Sequence, residues 1–99
     1  MINGNYVEFL DSLYHGDELY LKYKGHIYFI QGWSEIQENR EIYTMQCVLV
    51  DTVPLTALYE ISDETMRKCA HHFLEQPIFN GKKLPEIERE VKWVDTEMG

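Results

Sequence analysis

Positive charge is scarce in this chain. Its 99 residues hold 9 Lys and Arg against 17 Asp and Glu, a formal net charge of −8. A protein that grips a phosphate backbone needs clustered Lys and Arg, so direct nucleic-acid binding is not expected. Cysteine is also sparse. Two thiols, Cys47 and Cys69, both inside segments that read as regular elements, make no disulfide framework and read as reduced core residues. No apolar run approaches the ~20 residues of a membrane span, and no signal-peptide pattern is visible. Membrane association is therefore not expected, and a bacterial-type cytoplasm is the expected location. Glycine is thin and dispersed. Gly32 and Gly81 stand alone, and nothing matches a Gly-rich phosphate loop.

What is present is a globular composition. Hydrophobic residues make up 44% of the chain and aromatic residues 13%, with 7 tyrosines. A chain of this length forms one domain, residues 1–99, and buries ~65% of its unfolded surface in a single core. The stretch from Glu18 to Asp51 organises it. Three segments read as strands: Glu18–Lys22, His26–Trp33 and Glu41–Val50. Polar Ser34–Arg40 reads as the loop between the second and third.

The first two strands meet at Tyr23-Lys24-Gly25. A three-residue hairpin loop ends in a left-handed residue, which Gly25 adopts at least cost. That register pairs Lys22 with His26, Leu21 with Ile27, Tyr20 with Tyr28 and Leu19 with Phe29. It gathers Leu19, Leu21, Ile27, Phe29 and Trp33 on one face. A two-residue loop at Lys24-Gly25 would set Leu21 beside Tyr28 and Lys22 beside Ile27, mixing charge into the apolar row. A one-residue slip moves every side chain across the sheet, so the cleaner segregation selects the three-residue loop. On the third strand, Tyr43, Met45, Cys47 and Leu49 join the apolar face. The opposite face then carries Tyr20, Lys22, His26, Tyr28, Ile30, Thr44, Gln46 and Val48, more apolar than solvation alone requires.

Helices flank this sheet. Tyr6, Phe9, Leu10 and Leu13 follow the spacing of one buried stripe, with Asn5 and Glu8 as a capping box and Gly16 as the left-handed stop. Ser62–Gln76 is the strongest helical segment. Ser62 serves as N-cap, Asp63 and Glu64 occupy the first turn, and Met66, Cys69, Ala70, Phe73 and Leu74 form the stripe. Pro77 ends it. Leu55–Ile61, after Pro54, admits a short edge strand. Ile78-Phe79-Asn80-Gly81 is a turn. Residues 85–94 admit either a strand or a helix; the reading adopted here is a short helix from Pro85 that unwinds near Trp93. The expected fold is a two-layer α+β domain. A three- to four-stranded antiparallel meander packs on one face against an N-terminal helix and a helix of the C-terminal half.

Several side chains have the chemistry of a site. Cys69 and His72 lie three apart on a helix and could share a metal, yet no further ligands stand at a recognised spacing. Core packing for Cys69, and a favourable position for His71 and His72 late in a helix, account for the same residues. A Cys–His nucleophile needs an accessible thiolate, and Cys69 sits mid-stripe. No catalytic residue, metal or cofactor is assigned, and the chain is not expected to be an enzyme. The expected binding surface is the aromatic sheet face, Tyr20, Lys22, His26, Tyr28, Ile30, Thr44 and Gln46. Tyrosine suits protein interfaces because it brings area and a hydrogen-bonding tip together. The expected partner is another protein or a second copy of the chain, as a homodimer. A rival reading makes the acidic surface an imitation of DNA that blocks a nucleic-acid enzyme.

The run from Phe73 to Val91, Phe-Leu-Glu-Gln-Pro-Ile-Phe-Asn-Gly-Lys-Lys-Leu-Pro-Glu-Ile-Glu-Arg-Glu-Val, resembles the tail of small uncharacterised proteins of Gram-positive bacteria and their mobile elements. The resemblance implies a bacterial cytoplasmic protein of accessory or host-modulating type. It assigns no activity and no residue role.

Overall fold

The computed structural model describes residues 6–94. In chain order the elements are α1 (Tyr6–His15), β1 (Leu19–Tyr23), β2 (His26–Gln37), β3 (Arg40–Leu49), β4 (Thr56–Asp63), α2 (Met66–Leu74), α3 (Leu84–Ile87) and β5 (Lys92–Val94). The five strands form one antiparallel sheet in the order β4-β3-β2-β1-β5. The α+β class and the helix-packed meander are as expected. The sheet has five strands, not three or four, because residues 56–63 and 92–94 pair at its two edges.

Connectivity decides which face is covered. β1 to β4 form a meander that ends at one edge, and β5 lies at the other. Residues 64–91 must cross the full width of the sheet between them, roughly 19 Å at the usual strand spacing. They cross on one side, and α2, the Phe79 turn and α3 are laid there. The core cluster joins Leu19, Leu21, Tyr23, Tyr28, Ile30, Met45 and Cys47 of the sheet to Phe9 and Leu13 of α1, Cys69, Ala70 and Phe73 of α2, and Phe79, Leu84, Ile87 and Val91. Every sheet residue in that cluster points to the same face. Helix α1 adds a second contact to α2, where the Tyr14 ring meets the Arg67 guanidinium at 4.6 Å and the His71 ring at 5.5 Å. Phe9 meets Trp93 of β5 edge-on at 5.5 Å.

The β1–β2 register corrects the sequence expectation. Leu19 pairs with Ile30, Tyr20 with Phe29, Leu21 with Tyr28, Lys22 with Ile27 and Tyr23 with His26. The loop has two residues: Lys24 at φ 49° and Gly25 at φ 80°. Two successive left-handed residues make the type I′ turn, whose twist matches that of the flanking strands. The charge that argued against this register is harmless, because Lys22 and Ile27 share a face that no described helix covers. Shifting β2 by one residue reverses its faces. Tyr28, at 4% exposure, and Ile30, at 0%, enter the core, and Ile27, Phe29 and Trp33 leave it.

The other departures are local. The expected loop at Ser34–Arg40 is strand almost throughout, with a two-residue turn at Glu38 (φ 50°) and Asn39 (φ 66°). The expected helix from Ser62 starts later. Ser62 and Asp63 finish β4, and Thr65 is the N-cap, its hydroxyl accepting from the Lys68 N–H at 3.1 Å. Residues 84–94 divide between the two readings, a single helical turn that starts at Leu84-Pro85 and then a short strand. Asn5 lies outside the described residues, so the expected capping box does too. Gly16 takes the left-handed stop at φ 76°, and its carbonyl accepts from the Gly32 N–H at 3.1 Å. That approach explains Gly32 inside a strand: a Cβ there would come within 2.9 Å of the Gly16 Cα and 2.5 Å of the Met66 Cε.

Candidate functional site

The uncovered face of the sheet can be mapped from its pairing. One row crosses all five strands: Ala57 on β4, Val48 on β3, Phe29 on β2, Tyr20 on β1 and Val94 on β5. Tyr20 and Phe29 are in ring contact, centroids 4.7 Å apart and planes inclined by 31°. Two residues along β2 in one direction lies Ile27, with Lys22 and then Lys92 beside it. Two residues the other way lies Gln31, with Gln46 and Glu60 beside it. Trp33, 38% exposed, extends the band along β2 opposite Thr44.

Polar groups on this face are paired with each other. The Gln31 Nε2 donates to the Gln46 Oε1 at 3.3 Å, and the Gln46 Nε2 donates to the Glu60 Oε1 at 3.2 Å. One row on, Thr44 and Ser62 share a hydrogen bond of 2.8 Å. These ladders tie the side chains of neighbouring strands to one another. Val48 and Thr44 are nearly inaccessible, at 9% and 4%. Their β2 partners, Phe29 and Trp33, are larger and stand directly beside them, since cross-strand neighbours are only ~5 Å apart. None of Tyr20, Ile27, Phe29, Trp33, Val48 and Val94 belongs to the core cluster or packs against it.

The expected interface residues divide accordingly. Tyr20, Lys22, Thr44 and Gln46 lie together on the uncovered face. Tyr28, Ile30 and His26 do not. Ile30 is core. Tyr28 packs its ring on Phe79 at 4.7 Å, and burial pushes its phenol up from the ordinary tyrosine value. His26 is exposed on the helix side, where its Nδ1 lies 3.1 Å from the Asp51 Oδ2. His26 and Tyr28 help to line a cavity of about 240 Å³, with Lys24, Leu49, Leu58 and Ile78. The residues that sequence reasoning missed are Ile27, Phe29, Trp33, Val94 and Glu60.

Cys69 and His72, the other chemically suggestive side chains, are each held by a different neighbour. The Cys69 Sγ is buried and donates to the Tyr43 carbonyl at 3.3 Å, while the His72 Nε2 lies 3.2 Å from the Asp63 Oδ2. The thiol and the imidazole thus engage different partners. Burial pushes both thiols up, Cys47 to about 12. Among the described residues no three His, Cys, Asp or Glu side chains converge as a metal site. No described helix is long and apolar enough to cross a membrane. Comparison with protein-family models, curated proteins and solved structures finds no match for this chain.

Proposed function

We propose that the chain is a non-catalytic protein-binding or regulatory module of a bacterial cytoplasm, working through the uncovered face of its sheet. One observation carries this reading. An apolar band runs across all five strands, from Ala57 to Val94, and no described element packs on it. A solvated sheet face ordinarily alternates to polar residues, and here Ile27, Phe29, Trp33 and Val48 occupy those positions. Aromatic and aliphatic side chains ringed by paired amides and a few charges are the composition of an interface centre with its rim. Both cysteine thiols are buried with raised pKa, so neither supplies the accessible thiolate that covalent chemistry needs.

The test uses immobilised protein and its bound partner, whether another protein or free copies of the same chain. Trp33→Asp and Phe29→Asp should each release that partner. Lys82→Glu, an exposed change in the turn after α2 and away from this face, should retain it. Retention by Trp33→Asp and Phe29→Asp alike would remove the face from consideration.

A further inference from the structure

The charges around the apolar band are arranged in a pattern that is complementary to itself. Lys22 and Lys92 are direct cross-strand partners, two exposed cations side by side. The ion pairs of Lys and Arg among the described residues belong to Arg40, Lys68 and Lys83. Among the described residues Lys22 and Lys92 have none, as is also true of Lys24, Arg67, Lys82 and Arg89, but only Lys22 and Lys92 stand directly opposite each other. Like charges directly opposite on neighbouring strands are unfavourable, and an acidic group arriving from outside would relieve them. Glu60 stands at the far corner of the same face. Measured from Phe29, it is two strands away in one direction and two residues along. Lys92 is two strands away in the other direction and two residues back. Phe29 is thus the midpoint between the acidic and the basic corner.

We propose that the occupant of this face is a second copy of the chain, laid face to face about a two-fold axis through Phe29. The inference rests on the protein-binding reading above and names its partner. The axis runs in the plane of the sheet, perpendicular to the Glu60–Lys92 diagonal. Rotation about it sets Phe29 on Phe29 and brings Glu60 of each copy over Lys92 and Lys22 of the other, as an isologous interface requires. The strands of the two sheets then cross at roughly 70°, in the neighbourhood of orthogonal sheet packing. At ordinary strand spacing and rise the patch measures roughly 19 Å by 20 Å, or about 800 Å² for both copies together, which places the dimer among small, transient interfaces. An interface of that size fits a weak complex, for which dissociation is expected at micromolar concentrations or above.

Sedimentation velocity from about 5 to 500 μM, in about 150 mM salt so that the net charge of each copy is screened beyond ~8 Å, tests this directly. Wild type should pass from monomer to dimer within that range. Glu60→Lys alone, and Lys22→Glu with Lys92→Glu, should each weaken the dimer by about tenfold or more, because like charges then face each other. All three side chains are exposed, so the changes leave the core intact. An equimolar mixture of the two variants should form a heterodimer of near wild-type strength. Wild type that stays monomeric, or a Glu60→Lys variant that dimerises undiminished, overturns the proposal. If wild type stays monomeric but still retains a different protein that Phe29→Asp releases, self-association fails and the protein-binding reading stands. If nothing is retained either, both fail.

Discussion

At the scale of single residues, the Tyr23 hydroxyl is a polar atom in the core that contributes nothing favourable. Tyr23 is 2% exposed, and its hydroxyl has no hydrogen-bond partner among the described residues. A buried hydroxyl without a partner costs about 1–3 kcal/mol of desolvation. Tyr23→Phe keeps the ring and removes the unpaired atom. Urea unfolding should show it at least as stable as wild type, with a gain of up to about 1–2 kcal/mol. A clear loss of stability would mean that the Tyr23 hydroxyl is hydrogen-bonded in solution and contradict this reading of it. The same register explains why one strand misled the reading of the sequence. On β1 and β3 one parity is clearly the more apolar, with Leu19 and Leu21 or Tyr43, Met45, Cys47 and Leu49 against Lys22, Thr44 and Gln46, so Tyr20, Lys22, Thr44 and Gln46 were assigned to the correct face. β2 carries apolar residues on both parities, Ile27 and Phe29 on one and Tyr28 and Ile30 on the other. Alternation cannot choose between those sets, and only the turn can.

At the scale of elements, turns and caps set the boundaries. Lys24-Gly25, Glu38-Asn39 and Asn80-Gly81 are each two successive left-handed residues closing a two-residue loop. From the sequence the last is a turn within Ile78–Gly81, Lys24-Gly25 is the loop set aside in favour of a three-residue one, and Glu38-Asn39 lies inside the expected Ser34–Arg40 loop. The Ser62 helix start was misread because Asp63 and Glu64 suit a first helical turn as well as a strand end; the cap moved to Thr65. Asp51 shows how a side chain extends a strand pair. Beyond the last β2–β3 pair, the Val50 N–H donates to the Ile27 carbonyl at 3.0 Å, and the Asp51 carboxylate accepts from the Ile27 N–H at 3.4 Å and faces His26. Partial desolvation pushes this carboxyl up, but the Ile27 N–H and His26 outweigh it and hold the carboxyl below the usual range. Asp63 is also held low, first by the Glu64 N–H at 2.7 Å and further by Lys68 and His72. A folded-state pKa below the unfolded one stabilises above the ordinary aspartate value of about 3.9 and is lost as pH falls through the folded value. Stability should therefore fall as the pH drops below about 4, and Asp51→Asn should flatten that fall in an acid titration followed by circular dichroism. An unchanged profile would mean that the Asp51 contacts do not form in solution.

At the scale of the whole molecule, a single crossing determines what is buried and what is left. The chain leaves the sheet at β4, crosses on the side of Tyr28, and returns at β5. That route lays α2, the Phe79 turn and α3 over one face and nothing described over the other. The two-faced character of the sheet was legible from composition, since apolar residues exceed what one face can hold. The identity of the faces was not, because it depends on a one-residue choice at a turn. The account therefore stands on Tyr28 lying under the helices and Phe29 lying outside them. Thermal unfolding of Tyr28→Asp beside Phe29→Asp, followed by circular dichroism, tests that most directly. A carboxylate at Tyr28 would be buried without a partner and should abolish cooperative unfolding, whereas one at Phe29 should leave a folded protein within about 2 kcal/mol of wild type. A stable Tyr28→Asp and an unfolded Phe29→Asp would contradict the account.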